Sequence, residues 1–284
     1  IQKNKKNIIR ENIKDIKNAG KKKLKDNLIK RLVLNDKKII DIVNSVKKIV
    51  KLKDPTNVIL EKWKRPNGLN ILKVSIPIGV IGVIYESRPN VTSDVASLCF
   101  KSGNSVILKG GSEAFYSNLI LSKLFRKSLK KNKVDENYVQ FINLRNKRIV
   151  DFLLTKMTKF IDVIIPRGGK KLVKKIQDLS KIPTISHLEG VCHSYVDKDA
   201  NPKIAKRVIY NAKLRNTAIC GATETILFHE KIIKKFGNSI LSNLEKNGCK
   251  IIGDSKIKKF YNGKIQKASI KDWSKEYLAP IVSV

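Results

Sequence analysis

The amino-acid sequence predicts an α/β protein built around a mostly parallel sheet. Apolar runs typical of buried strands alternate with helical segments between residues 79 and 180. Near Ile185 this rhythm stops and then restarts with further strand-like runs. We therefore expect two domains, comprising residues 1–186 and 187–284.

The residues before the alternation predict helices followed by a strand. Over residues 36–52, apolar side chains recur every three or four residues and make one stripe on a helix. Asp36 is a candidate cap for its start, and Pro55 ends it because proline donates no backbone hydrogen bond. Residues 65–68 (Arg-Pro-Asn-Gly) are a turn signal, and the alternation over 69–76 predicts a strand.

The alternating region predicts βαβ units, whose strands are parallel. The predicted strands of the first domain are 79–85, 105–108, 139–142 and 161–165. Helices are predicted for 91–101, for the residues up to about 130, and after residue 169. The second domain contributes predicted strands near 194–196 and 224–228.

Composition and charge bear on the class of partner. The 284 residues carry a formal net charge of +36. A strong positive charge is typical of nucleic-acid-binding proteins. The lysines are spread along the chain, however, and accompany many isoleucines and asparagines, which share A/T-rich codons. We therefore expect no nucleic-acid partner, although a positive field would steer anionic ligands towards the protein. No apolar run approaches the ~18 residues of a membrane span, so no membrane partner is expected.

The four cysteines form no C-x-x-C pair, so neither a metal site nor a redox dithiol is expected. Dispersed thiols in a chain of this length fit a reducing cytoplasm. We expect Cys99 in the core, because it lies on an apolar helix face. Cys249 is expected near a turn, and Cys192 could line a cleft.

Two predicted strands lead through a Gly–Gly pair into a helix. The residues at these junctions are Lys109, Gly110, Gly111, Ser112 and Glu113, then Pro166, Arg167, Gly168 and Gly169. Glycine lets the backbone approach a ligand, and a helix N-terminus offers free N–H groups to a phosphate. The functional interpretation is a nucleotide phosphate site, and the alternative is a tight turn that needs positive φ. The usual G-x-G-x-x-G fingerprint is absent from the sequence.

A cysteine, two histidines and an asparagine are candidates for chemistry. Cys220 follows a basic stretch and precedes a glycine and a strand, where positive charge and peptide N–H groups favour a thiolate. The alternative is a buried thiol that acts as a small hydrophobe. His187 or His193 could serve as its base, or both could be structural. Asn90 could donate to an oxyanion, or could form an Asx turn or a helix cap.

Several motifs, taken in order, resemble one known family. The stretches that carry the resemblance are residues 80–92, 98–104, 108–114, 165–169, 211–213, 219–225, 272–273 and 276–281. From about Leu24 to the last residue, their order and spacing are similar to those of the gamma-glutamyl phosphate reductases, also called glutamate-5-semialdehyde dehydrogenases. These belong to the aldehyde dehydrogenase superfamily.

The resemblance implies an aldehyde-dehydrogenase-like fold with a Rossmann-like parallel sheet. Residues 1–186 would form N-terminal helices and an NADP-binding domain, with an oligomerisation hairpin near 64–77. Residues 187–284 would form an α/β catalytic domain that is incomplete at its C-terminus. The implied activity is the NADPH-dependent reduction of L-glutamyl 5-phosphate in cytoplasmic proline biosynthesis. A homo-oligomer and functional coupling to glutamate 5-kinase are implied as well.

The resemblance also implies roles for individual residues. Cys220 would be the nucleophile and form a thioester, and Asn90 would donate to the oxyanion. Lys109 would lie near the adenosine ribose, where a 2′-phosphate favours NADP(H), and Glu276 would hold the nicotinamide ribose. The remaining residues expected at the cofactor are Gly110, Ser112, Glu113, Pro166, Arg167, Gly168 and Gly169. Substrate contacts are expected from His187, Lys213 and Arg215; for the two basic residues a solvated surface is the alternative.

The sequence departs from the wider superfamily at one position. His187 stands where many aldehyde-oxidising relatives carry a general-base Glu, which suits an acyl-phosphate enzyme that hydrolyses no thioester. The alternatives are another thiol-dependent aldehyde dehydrogenase, or a basic nucleic-acid-binding protein. Since the chain lacks an initial Met and family members continue by roughly another third, we expect a piece open at both ends.

Overall fold

The computed structural model describes residues 1–24, 26–146 and 148–284, apart from the side chains at 26, 27 and 30. Its contacts divide the chain into two units, Ile1–Ser186 and His187–Val284. Each unit has its own sheet and hydrophobic core. The α/β class predicted from the alternation is confirmed by the order of the elements.

Three helices precede the sheet of the first unit, α1 (Lys5–Lys21), α2 (Asp26–Leu32) and α3 (Asp36–Val50). The predicted helix at 36–52 is confirmed, but its cap is Asn35 rather than Asp36. The Asn35 side chain accepts a hydrogen bond from the Lys38 backbone N–H, because its extended backbone aims the amide oxygen along the helix.

An antiparallel hairpin follows, formed by β1 (Ile59–Lys64) and β2 (Asn70–Val74). The predicted strand at 69–76 is confirmed, but the hairpin begins before the expected residue 64. Its apolar side chains, among them Trp63 and Leu72, are exposed on the isolated chain. Gly68 closes the turn with φ of +88°, a left-handed conformation that glycine adopts without strain.

The main sheet of the first unit has four parallel strands in the order β5-β4-β3-β6. The strands are β3 (Val80–Tyr85), β4 (Ser105–Gly110), β5 (Val139–Phe141) and β6 (Val163–Arg167). The helices are α4 (Asn90–Lys101), α5 (Phe115–Lys131), α6 (Arg148–Lys156) and α7 (Lys170–Leu179). All four predicted strands are present. The last starts two residues later than predicted, at Val163, and Asp162 just before it accepts from the backbone N–H of Val80 through its side chain.

The second unit has a five-stranded parallel sheet in the order β10-β9-β11-β8-β7. The strands are β7 (Cys192–Val196), β8 (Thr223–Phe228), β9 (Lys250–Gly253), β10 (Ile265–Lys267) and β11 (Ile281–Ser283). The helices are α8 (Pro202–Leu214), α9 (Glu230–Ile232) and α10 (Asn238–Lys246), with a π-helical turn, Ile233–Gly237, before α10. Asn201 caps α8 by accepting from two backbone N–H groups, and Pro202 occupies its first position.

Candidate functional site

The first unit brings both Gly–Gly junctions to one edge of its sheet. Tyr85, the last residue of β3, pairs with Gly110 of β4 on one side and with Arg167 of β6 on the other. The chain leaves β3 towards β4 and β5, and then returns to the opposite side as β6. Ligands of open α/β sheets bind outside the carboxyl ends of the strands at such a reversal. The topology therefore favours a ligand site at the end of β3.

Lys109 and Glu113 place opposite charges at this edge. The Lys109 side chain is buried, and its Nζ donates to the Gly110 carbonyl at 2.9 Å. Burial lowers the pKa of Lys109, and the nearby Glu113 carboxylate opposes that change. Glu113 Oε1 also accepts from the Ser87 backbone N–H at 2.6 Å and from its hydroxyl at 2.9 Å. Since Ser87 has a left-handed φ of +47°, these bonds hold a strained turn in place.

Three of the four junction glycines, Gly110, Gly111 and Gly168, have a neighbouring side chain in the space that a Cβ would occupy. A Cβ on Gly110 would lie 2.2 Å from Nδ2 of Asn118, and one on Gly168 would lie 2.5 Å from Oε2 of Glu86. None of the four junction glycines is among the residues with positive φ. The alternative interpretation, a turn that requires positive φ, is therefore wrong. Close side chains favour glycine at Gly110, Gly111 and Gly168, whereas at Gly169 the nearest atom lies at an ordinary contact distance of 3.8 Å.

The helix N-termini after the junctions are not free for a phosphate in the way the sequence predicts. Asp15, a buried residue of α1, accepts from the backbone N–H groups of Tyr116 and Ser117 in the first turn of α5. At α7, Glu86 Oε2 accepts from the Gly169 backbone N–H at 2.9 Å. Carboxylates of the chain thus accept from these three N–H groups. The expected contact of Gly169 with a cofactor stays a prediction. Burial raises the pKa of Asp15, and its hydrogen bonds from Ser117 and Tyr116 oppose the rise.

The polar groups at this edge fit a ligand that carries phosphate and hydroxyl groups, as a dinucleotide does. They include the Lys109 ammonium and the Glu113 carboxylate, together with the exposed side chains of Ser112 and Arg167. Cations suit phosphate groups, and carboxylates suit ribose hydroxyls. Pro166 is buried within β6, so it shapes the edge without exposing its ring.

Asn90 is the first residue of α4 and is exposed. Its Nδ2 donates to Oδ2 of Asp94, one turn further along, at 3.0 Å. Pro89 holds the N-cap position and no side chain caps this helix, so Asn90 does not act as the cap that the sequence allowed. A primary amide carries two N–H donors, and the bond to Asp94 uses one of them.

In the second unit, Cys220 lies in the turn that joins α8 to β8, and it is half-buried. The segment before β7 packs against its backbone. Cys192 Sγ donates to the Cys220 carbonyl at 3.3 Å, and a Cβ on Gly190 would lie 2.7 Å from the same oxygen. The absence of a side chain at Gly190 therefore allows Gly190 and Cys192 to lie close to the Cys220 carbonyl, a contact that sequence reasoning missed.

The other thiols differ from Cys220 in their environment. All four cysteines are free, and Cys99 and Cys249 are buried. Burial raises the pKa of each of these two thiols to about 11, which keeps them protonated and unreactive. The expectation of Cys99 in the core is confirmed. Cys249 follows a turn, as expected, but its side chain belongs to the core of the second unit.

The candidate partners of Cys220 take different positions. His187 and His193 are exposed, and within the described residues neither imidazole hydrogen-bonds to the Cys220 thiol. Arg215 is exposed beside the turn. The side chain of Lys213 is fully buried, and its Nζ lies 2.7 Å from Oε2 of Glu224. This burial contradicts the predicted contact between Lys213 and the substrate.

Glu276 lies half-buried in the loop before β11. Two neighbours anchor this loop. The Tyr277 hydroxyl donates to Oδ1 of Asp272 at 2.9 Å, and the Leu278 N–H donates to Oε1 of Glu224 at 3.3 Å. The position of Glu276 therefore depends on the residues that follow it.

Comparison with known proteins bears on the role of these groups. The sequence model of the aldehyde dehydrogenase family matches residues 4–272. The gamma-glutamyl phosphate reductase of Thermodesulfovibrio yellowstonii is 42% identical over 284 residues, which are 100% of this chain and 68% of that protein. The chain belongs to the gamma-glutamyl phosphate reductase family. The resemblance seen in the motifs is thereby confirmed, and the chain is an oxidoreductase by family.

Solved structures agree with this assignment. The crystal structure of the gamma-glutamyl phosphate reductase of Thermotoga maritima superposes with a TM-score of 0.89 at 36% identity, over 99% of this chain and 68% of that chain. An engineered glycolyl-CoA reductase with bound NADP+ superposes with a TM-score of 0.55 at 19% identity, over 88% of this chain and 57% of that chain. The second likeness shows the fold alone. The chain spans about two thirds of the length of the relatives in its own family.

Among the residues that the structure describes, no helix is both long and apolar enough to cross a bilayer. Nor does any group of three or more His, Cys, Asp or Glu side chains among those residues have an arrangement that could hold a metal ion.

Proposed function

We propose that the chain carries out the NADPH-dependent reduction of L-glutamyl 5-phosphate to L-glutamate 5-semialdehyde and phosphate, a step of proline biosynthesis. The observation that carries the proposal is the placement of Cys220. It is a half-exposed thiol in a turn before a strand, in a chain that aligns along its whole length with gamma-glutamyl phosphate reductases. Family membership supports a nicotinamide cofactor in general. The preference for NADPH rests on Lys109 and on the resemblance.

The proposed reaction begins with the Cys220 thiolate. Its sulfur attacks the γ-carbonyl carbon of the acyl phosphate, the C–S bond forms, and the C–O bond to phosphate breaks, so that a thioester remains on the chain. The chemistry that bound NADPH supplies is hydride donation. When the aldehyde forms, the C–S bond breaks and the Cys220 sulfur leaves as a thiolate. No water has to be activated, which agrees with an exposed His187 in place of a general-base carboxylate.

The surrounding residues take supporting roles in this proposal. The free N–H of the Asn90 amide and the Cys220 backbone N–H would stabilise the tetrahedral oxyanion. Lys109 would pair with the 2′-phosphate, and Glu113 and Glu276 would hold ribose hydroxyls. Arg215 and His187 remain candidates for the anionic groups of the substrate, since both are exposed.

We extend the proposal to assembly and location. The exposed apolar strands of the hairpin suit contact with a second copy of the chain. A cytoplasmic location, a homo-oligomer and coupling to glutamate 5-kinase follow from the family resemblance, and dispersed free thiols agree with that location.

The test is the reverse reaction, in which L-glutamate 5-semialdehyde, NADP+ and phosphate give reduced cofactor. We expect Cys220→Ala to abolish turnover, and Cys249→Ala, in the core of the same unit, to retain it. Unchanged activity of the Cys220→Ala protein would show that the proposed thioester mechanism is wrong. Full turnover of the wild-type protein without phosphate would favour a hydrolytic aldehyde dehydrogenase instead.

A further inference from the structure

The second unit contains a fully buried ion pair outside the proposed chemistry. Lys213 lies in the last turn of α8, and Glu224 is the second residue of β8. Their Nζ and Oε2 atoms lie 2.7 Å apart, and both side chains are shielded from solvent. Burying two charges carries a desolvation cost that their attraction often only offsets, so a gain in stability is a weak explanation for the pair.

The position of the pair in the chain is informative. The turn that carries Cys220 begins after Leu214, the residue that follows Lys213, and ends at Thr223, the residue that precedes Glu224. The ion pair therefore joins the two ends of this turn. Because both partners are buried, solvent screens the bond little, and the ends of the turn are held at a fixed separation.

The second oxygen of Glu224 reaches a different segment. Glu224 Oε1 accepts from the Leu278 backbone N–H at 3.3 Å. Leu278 has a left-handed φ of +52°, which is unfavourable for a leucine unless its surroundings hold it. Glu224 thus fixes the backbone two residues after Glu276. One carboxylate spans the base of the Cys220 turn and the loop that carries Glu276.

We propose that Lys213 and Glu224 are positioning residues that hold the Cys220 turn and the Glu276 loop at a fixed position relative to each other. Lys213 neutralises and orients the carboxylate, and Glu224 divides its two oxygens between the lysine and the Leu278 N–H. The inference rests on the proposed function, in which Cys220 is the nucleophile and Glu276 contacts the cofactor. The pair itself touches neither substrate nor cofactor.

The experiment compares the wild-type chain with Glu224→Gln, Lys213→Met and the control Glu245→Gln. Glu245 also binds through both oxygens in the second unit, to the Tyr261 hydroxyl and to the Lys264 N–H, but it contacts neither the Cys220 turn nor Leu278. Three quantities are measured on each protein. They are the melting temperature, the hydrogen-exchange rate of the Leu278 amide, and the alkylation rate of Cys220 by iodoacetamide.

In the wild-type chain, we expect the Leu278 amide to be protected. A glutamine at position 224 has one acceptor oxygen for two donors, so Glu224→Gln should speed Leu278 exchange by about tenfold or more. It should also speed Cys220 alkylation by at least about threefold, because the turn loosens. Glu245→Gln should change neither rate by more than about twofold, whatever its loss of melting temperature.

Two results would overturn the inference. The first is an unprotected Leu278 amide in the wild-type chain, a measurement that needs no variant and stands even if Lys213→Met fails to fold. The second is equal behaviour of Glu224→Gln and Glu245→Gln in both rates. Neither readout depends on turnover, so a failure of the proposed function, seen as an active Cys220→Ala protein, is distinguishable from a failure of the positioning pair. If the wild-type chain catalyses the reverse reaction, Glu224→Gln should lower kcat/KM for the cofactor and Glu245→Gln should not.

Discussion

Substitution of Gly190 by alanine tests the contact between residues 187–192 and Cys220. A Cβ at this position would lie 2.7 Å from the Cys220 carbonyl oxygen, whereas ordinary contact begins at 3.4 Å, so the two backbones must separate by about 0.7 Å. The obstacle is backbone and not the end of a flexible side chain, which prevents an inexpensive rearrangement. Gly190 has no positive φ, so the effect is steric alone.

We expect Gly190→Ala to speed the alkylation of Cys220 and to slow turnover. Alkylation of Cys220 by iodoacetamide should become faster by at least about threefold, because the segment that covers its backbone moves away. Turnover should fall by about ten- to a hundredfold, since displacements of this size at a reacting group have such effects. Overpacking should also lower the free energy of unfolding by about 1–3 kcal/mol.

Gly221→Ala is the matched control, because Gly221 adjoins Cys220 and has no heavy atom within 4 Å of its would-be Cβ. It should leave alkylation and turnover within about twofold of the wild-type values. Wild-type alkylation and turnover in Gly190→Ala, or identical effects of the two substitutions, would refute the steric reasoning.

Three further predictions concern the thiols and the cofactor edge. At about pH 8, Cys99 and Cys249 should react with iodoacetamide about a hundredfold more slowly than an ordinary thiol, because burial raises the pKa of each from 9.0 to about 11. Isotope-coded peptide mapping measures this, and labelling as fast as that of Cys220 would contradict it. The unfolded chain ionises these thiols near pH 9, whereas the folded chain ionises them only near pH 11. The free energy of unfolding should therefore decrease as the pH rises from about 9 to about 11. Urea titrations should find this slope flattened in a Cys99→Ala/Cys249→Ala protein. Lys109→Met should raise the Kd for NADPH by about tenfold or more and leave the Kd for NADH within about threefold, and equal losses for both cofactors would argue against a 2′-phosphate contact.

The sequence predicts those parts of the fold that depend on local pattern. Apolar runs of three to six residues identify β3, β4 and β8, and the helical stripe over residues 36–52 identifies α3. Strands β9, β10 and β11 have only three or four residues each, too few to show a period of two. They are stabilised by neighbouring strands, and a linear pattern does not contain that information.

The candidate site divides in the same way. Cys220 could be singled out through its motif, whereas its contact with Gly190 joins segments that are distant in sequence. The sequence offers Lys213 as a substrate contact because a cation suits the anionic groups of the substrate. Its burial depends on its partner Glu224, which is also buried and lies 11 residues further along the chain. Asp15 is separated from Ser117 by 102 residues, so no local signal connects it to the start of α5.

The position of β11 has a consequence for the order in which the second unit forms. Although it is the last strand in the chain, it lies in the middle of the sheet and separates β8 from β9. Before residues 281–283 have emerged from a ribosome, the earlier strands can make only the two outer pairs, β7 with β8 and β9 with β10. Each of these pairs keeps one open edge towards the missing strand. During synthesis, the second unit should therefore depend on chaperones or on rapid synthesis of residues 281–283 more strongly than the first, whose four parallel strands have all been made by Arg167.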